Sequence, residues 1–361
     1  MTRPARVVID LAAVQSNLCR VRELAPGRKI MAIVKADAYG HGLVRIACAL
    51  SSVDAFGVSC LEEAQQLREA GISQPVILLE GPYSAGELPD IQRLGLDIVV
   101  HHESQLDMLK QVQLAAPIKV WLKIDSGMHR LGFEPESLAS VWQALHQYAS
   151  VARPVNLMSH LATANERDNP ITQRQLQIFR QACHGLQAEK SIANSAAIIA
   201  WPESHADWVR PGLMLYGVSP LQDATAAEHG LVPVMTLRSE LISVKFLPKG
   251  ESVGYGASWR CPEDMTIGIV AAGYGDGFPR HANSGTPVLV KGKRVSIIGH
   301  ASMDMLTVDL RSQADARVGD PVELWGANLP IEEIARHAAT IPYELLCGVH
   351  KRLSFIEHGQ A

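Results

Sequence analysis

Five side chains of types that do chemistry stand where an apolar strand ends or a glycine turn begins. The most pointed is Lys35. Ile30, Met31, Ala32, Ile33 and Val34 lead straight into it, and Ala36-Asp37-Ala38-Tyr39-Gly40-His41-Gly42 follows. Such a run is a buried strand, and lysine is seldom buried without a chemical reason. Desolvation disfavours the ammonium form, and a neutral amine at a strand end is what a Schiff-base lysine must be. A strand-end lysine that snorkels to solvent has an equal claim on the pattern alone. Ser195, in Asn194-Ser195-Ala196-Ala197, opens a helix-forming run after a short strand. It could cradle a phosphate with nearby amides or simply cap the helix. Arg210 precedes Pro211-Gly212-Leu213, His160 follows Met158-Ser159, and Tyr255 sits between Gly254 and Gly256.

The elements that must position them alternate along the chain. Short apolar strands are expected at 30–34, 55–58, 76–79, 97–100, 119–124, 155–158 and 191–193. Helical patterns at 61–70, 104–113, 138–148 and 172–187 lie between them. Repeated βα units predict a parallel sheet, and seven or eight of them favour an α/β fold closed as a (β/α)8 TIM-like barrel. Lys35, Asp125-Ser126, His160 and Asn194-Ser195 then all fall at the C-terminal strand ends, on the face where barrel enzymes work. From about Gly230 the strands become short, Val- and Ile-rich and separated by charged or glycine turns, which predicts a mainly antiparallel C-terminal β domain. The expected division is 1–228 for the barrel and 229–361 for the β domain, with a linker around 223–230.

Composition narrows the partners. The 361 residues suit about two domains, and 47% are apolar, enough for full cores. A net charge of -4 gives no basic field for nucleic acid or anionic lipid. No apolar run reaches the length of a membrane span, and residues 1–10 hold no apolar signal core. Six scattered cysteines without a Cys-x-x-Cys pair fit reduced thiols rather than a zinc site. A cytoplasmic location, no metal, no nucleic acid and no membrane partner are expected.

Val34 to Gly42 resembles, almost letter for letter, the cofactor-lysine motif of the alanine racemases, and the resemblance extends over the whole chain. It implies pyridoxal 5'-phosphate on Lys35, a barrel joined to a β domain, and a homodimer with shared active sites acting on alanine. It also implies roles for the other residues. Tyr39, Ser195, Gly212, Leu213 and Tyr343 would contact the phosphate, His160 would support the ring, and Arg210 would face the pyridine nitrogen. Arginine does not give up its proton, so that nitrogen would stay unprotonated and side reactions would be restrained. Arg130, in Asp125-Ser126-Gly127-Met128-His129-Arg130, and the partner's Met303, in Ser302-Met303-Asp304, would bind the substrate carboxylate. Tyr274 and Arg280 would line the entrance. Racemisation needs a base on each face of the α-carbon, so Lys35 would serve the D-isomer and the partner's Tyr255 the L-isomer. A phenol is a weak base at neutral pH, so His160 and Arg210 are expected to assist it. Asn165 and His300 depart from the family pattern in the outer corridor, where aspartate and arginine are common.

Lys123 stands two residues before Asp125, and strand alternation places both on one face, toward the barrel interior. An ammonium beside a guanidinium is costly. A depressed pKa, or a salt bridge to a carboxylate, would relieve it. The resemblance implies a carbamylated lysine there. The rival readings are a broad-specificity amino-acid racemase, a metal-using D-threonine aldolase on the same barrel, and a non-catalytic pyridoxal-phosphate-binding barrel protein that would lack the β domain.

Overall fold

The computed structural model describes residues 3–359. Strand β1 (Arg6–Asp10) stands outside the barrel. The barrel comprises β2 (Lys29–Ile33), β3 (Ala55–Val58), β4 (Val76–Leu78), β5 (Asp97–Val100), β6 (Val120–Lys123), β7 (Asn156–Met158), β8 (Lys190–Asn194) and β9 (Trp208–Arg210). Each strand pairs in parallel with the next, and β2 pairs with β9 to close the ring. The expected α/β barrel is therefore present. Its eighth strand, β9, is three residues long and runs directly into Pro211-Gly212, so its sequence reads as a turn.

The barrel strands are buried on both faces, as parallel strands under helices must be; all four residues of β3 are buried. The outer helices obey the same logic. Pro170–Ala182 buries Thr172, Gln175, Leu176 and Phe179, one stripe at helical spacing. Asn169 caps it by accepting the Ile171 N–H at 3.0 Å, and Pro170 fits the first turn, where its missing N–H has no partner to lose. Inside the ring, Met31, Ile77, Val99, Trp121, Met158 and Trp208 pack together. Trp121 and Trp208 meet edge to face at 5.7 Å. The interior is a filled floor and not a pore.

The second unit gathers the chain up to Ser16, Tyr216–Val218 and everything from Thr225 onward; Asn17–Leu215 and Ser219–Ala224 make up the first. A long strand, Met235–Leu247, pairs antiparallel with β1, Met265–Val270 and Pro321–Trp325. The expected grouping of all of 1–228 with the barrel thus differs at the start, because β1 joins this sheet. Its pattern explains why. Val7 and Ile9 are fully buried while Arg6, Val8 and Asp10 are not, the alternation of a sheet with one packed face. No helix among the described residues is long and apolar enough to cross a membrane.

Candidate active site

Side chains alternate along a strand, so the packed floor determines what lies above it. Two residues beyond Ile33, Ile77, Val99, Trp121, Met158 and Trp208 stand Lys35, Leu79, His101, Lys123, His160 and Arg210. The C-terminal mouth of the barrel is thereby lined with titratable groups.

Lys35 begins an uncommon piece of backbone. Ala36, Asp37, Ala38 and Tyr39 all have φ between 51° and 54°, one turn of left-handed helix built without glycine. Each such residue costs roughly 1–2 kcal/mol, so surrounding contacts must hold the turn. The Glu63 carboxylate accepts the Ala36 N–H at 2.6 Å, and Asp37 Oδ1 accepts that of Leu43 at 2.8 Å. His41 is fully buried, which pushes its pKa down to about 4. Its neutral ring donates from Nδ1 toward the Ala38 and Tyr39 carbonyls at 3.0 and 2.9 Å. The turn fixes Lys35, whose Nζ lies 3.4 Å from Glu80 Oε1, and delivers the Tyr39 hydroxyl to Gly212. A Cβ on Gly212 would lie 2.8 Å from that oxygen, so glycine leaves the space open.

Ser195 stands at this same corner. Asn194 caps Ser195–Ala200 by accepting the Ala197 N–H. Ser195 Oγ accepts the Gly212 N–H at 2.8 Å and that of Met214 at 3.4 Å. Leu213 is buried at the start of a short 3₁₀ turn.

Arg210 is buried and donates to Ser191 Oγ at 2.7 Å and to the carbonyls of Ser159 and Ile192 at 2.6 and 3.4 Å. Burial lowers its pKa to about 10, which leaves it charged at neutral pH. Its Nη2 also lies 3.3 Å from His160 Nδ1. A guanidinium can only donate, so Nδ1 accepts and the histidine proton sits on Nε2. Burial, then Arg210, Arg130, Lys123 and Lys35, hold His160 well below the usual histidine range. His160 is thus neutral at pH 7 and cannot be the cation expected to assist a tyrosine.

Lys123 is 8% exposed, and its pKa is lowered to about 8 by burial, then by Arg210 and Arg130, with Glu80 opposing. Asp125 does not pair with it. Asp125 Oδ1 instead accepts the N–H groups of Gly127, Met128 and His129 at 2.9–3.1 Å, which ties the loop that presents Arg130 to solvent. Gly132 lets that loop return; its Cβ would sit 2.5 Å from the Asp125 nitrogen. Sequence reasoning missed Glu80 and His101. Glu80 follows an apolar strand as Lys35 does, a signal that was there to read, and its carbonyl accepts from His101 Nε2 and Gln105 Nε2.

The sheet unit carries the remaining expected residues. Tyr255 is 70% exposed, at the tip of a hairpin of Ser252–Val253 and Trp259–Arg260. Tyr274 and Met303 lie on two loops joined backbone to backbone, Gly275 N–H to the Met303 carbonyl at 2.9 Å. Arg280 is exposed. Tyr343 opens the helix Pro342–Cys347, and burial pushes its phenol up to about 12.

Comparisons with known proteins follow this division. The family model for the N-terminal domain of alanine racemase matches residues 9–220, and that for its C-terminal domain matches 234–356. An alanine racemase of Nitrosococcus oceani is 54% identical, over 96% of this chain and 98% of its own. One of Vibrio cholerae is 50% identical, over 99% of each. The crystal structure of biosynthetic alanine racemase from Pseudomonas aeruginosa superposes with a TM-score of 0.97 at 46% identity, over 99% of this chain and 100% of that one.

Proposed function

The chain belongs to the alanine racemase family, isomerases that interconvert L- and D-alanine, and from that premise we propose a two-base reaction on pyridoxal 5'-phosphate held at Lys35. The residues at the barrel mouth fit that cofactor. A lysine ends the strand beside Glu80, a hydroxyl and amide corner suits a phosphate, and Gly212 leaves its space open. Three basic side chains, Lys35, Arg130 and Arg210, suit a ligand carrying phosphate and carboxylate. When bound, pyridoxal phosphate supplies the carbonyl that captures the substrate amine and a ring that takes up the electron pair left at the α-carbon.

The chain's own residues do the rest. Lys35 Nζ takes and returns the α-proton on the face it occupies, that of the D-isomer. The Tyr255 hydroxyl of a second copy serves the opposite face, in a homodimer whose sites each draw on both chains. Arg210 remains a donor and never a proton source toward the ring. Neutral His160 accepts from Arg210 and so orients it. Arg130, on its exposed loop, and the Met303 amide of the second copy bind the substrate carboxylate, the first through paired N–H donors. Tyr39, Ser195, Gly212, Leu213 and Tyr343 serve the phosphate, and Tyr274 and Arg280 line the approach. Lys123 carries a carbamate that holds Arg130. A non-catalytic barrel protein would lack the sheet unit, which the match over 234–356 argues against.

The observation that carries this reading is the convergence of Lys35, Arg210 and the Ser195–Gly212 corner at one barrel mouth. Its test is complementation. Lys35→Ala and Tyr255→Phe chains should each be inactive alone. Mixed dimers contain one intact site of two, and random pairing makes half the dimers mixed, so co-expression should restore about a quarter of native activity. Mixed dimers that form and stay inactive would overturn the shared site.

A further inference from the structure

Asp276 is fully buried in the sheet unit and belongs to no part of the proton chemistry. Its carboxylate accepts two hydrogen bonds from Arg3, Nη1 at 2.9 Å and Nη2 at 3.0 Å. It also accepts Arg352 Nε at 2.8 Å and the Gly273 N–H at 2.9 Å. A buried carboxylate with two guanidiniums and a backbone donor is fully satisfied, and such a group specifies geometry more than it adds stability. The geometry here joins three stretches far apart in sequence: residue 3, the 273–277 turn and residue 352.

That clamp bears on Met303. Arg352 Nη2 reaches past Asp276 to the Met303 carbonyl at 3.3 Å and to Asp304 Oδ1 at 2.9 Å. The Gly275 N–H donates to the same Met303 carbonyl, and the Tyr274 N–H donates to the Ser302 carbonyl at 3.0 Å. A trans peptide is planar, with its C=O and N–H pointing opposite ways. Fixing the Ser302 oxygen on the Tyr274 turn therefore aims the Met303 N–H away from that turn. The two loops approach too closely for a side chain at either glycine. A Cβ on Gly273 would lie 2.2 Å from the Ser302 oxygen, and one on Gly275 would lie 2.7 Å from Arg352 Nη2.

We infer that Asp276, with Arg352 and Arg3, is a positioning group that locks the Ser302–Met303 peptide so that its N–H stands ready for the substrate carboxylate. This rests on the reading of Met303 given above. The clamp touches no reacting atom, so its loss should weaken carboxylate binding without slowing proton transfer.

The experiment uses holoenzyme and a carboxylate that lacks the amino group, propionate. In Arg352→Gln, the KM for L-alanine and the propionate inhibition constant should rise together by about tenfold, with kcat within about twofold of native. Arg352→Lys keeps the charge beside Asp276 and should recover part of the loss. Arg3→Gln, on the more exposed side, repeats the test with a smaller effect should Arg352→Gln fold poorly. A fall in kcat with unchanged propionate inhibition, or no change in either quantity, would overturn the inference. Native enzyme that propionate does not inhibit competitively would instead remove the carboxylate site on which the inference stands.

Discussion

Lys123 should bind carbon dioxide, and the driving force can be worked from its surroundings. Its pKa of about 8 means that roughly one molecule in ten carries the neutral amine at pH 7, against roughly one in three thousand for a lysine at its ordinary 10.5. Carbon dioxide adds only to the neutral amine, forming a carbamate anion and releasing one proton. The buried site thus raises the reactive form by about three-hundredfold. The same difference is a stability term of about 3 kcal/mol. The folded state holds the Lys123 proton more weakly than the unfolded chain does. The penalty is therefore fully present below pH 8, shrinks as pH rises from 8 to 10.5, and is absent above. A carbamate removes it at neutral pH by placing an anion beside Arg210 and Arg130. Calorimetry at pH 7.5 should show the melting temperature rising by about 4 °C between carbon-dioxide-free buffer and buffer with bicarbonate. Lys123→Met, a neutral side chain of similar length, should not respond to bicarbonate. Native mass spectrometry should show one added carbon dioxide per chain in the wild type alone. In Lys123→Ala, short carboxylates should restore lost activity. A wild-type melting point indifferent to bicarbonate, an equal shift in Lys123→Met, or full activity in Lys123→Ala would refute the reasoning.

Two further substitutions test the backbone beside Lys35. Ala36→Gly should stabilise the protein by about 0.5–1 kcal/mol in urea unfolding, since glycine relieves about 1–2 kcal/mol of left-handed strain and loses about 0.5–1 kcal/mol to unfolded-state entropy. A destabilised variant would mean that the turn is not strained. Gly212→Ala puts a methyl 2.8 Å from the Tyr39 hydroxyl and should speed cofactor loss on dialysis by about tenfold. In the Tyr39→Phe background the same change should add little, because the colliding oxygen is gone; additive effects would show that the two do not meet.

Much of the barrel mouth was legible because one rule, side-chain alternation along a strand, carries from sequence to site. Ile33 to Lys35, Trp121 to Lys123 and Met158 to His160 each follow from an inward apolar residue two places earlier. His101 obeys the same rule, two places after Val99, whereas Glu80 does not, since Leu79 holds the place two beyond Ile77, and Gly81-Pro82 draws attention to a turn and hides the carboxylate before it. Strand β9 escaped because three residues are too few for any period to register. The neutral state of His160 was out of reach for a different reason. It depends on the burial of the ring and then on the charge of Arg210 beside it, 3.3 Å away, and only the folded chain brings residues 160 and 210 together.

The left-handed turn marks where local reasoning stops. Ala36, Asp37, Ala38 and Tyr39 are compatible with an ordinary right-handed helix, and nothing in their order calls for positive φ. The conformation is imposed by partners around it: Glu63 on the Ala36 N–H, Asp37 on Leu43, and buried His41 on two carbonyls. Strain of this kind persists only where the surroundings over-determine it. Here it lies between Lys35, the proposed cofactor lysine, and the tyrosine that reaches Gly212. A right-handed turn would send Tyr39 elsewhere and leave that corner without its hydroxyl. The local rule is broken at the point where the proposed cofactor site needs the chain to go, and the contacts that compensate come from residues up to 27 positions away.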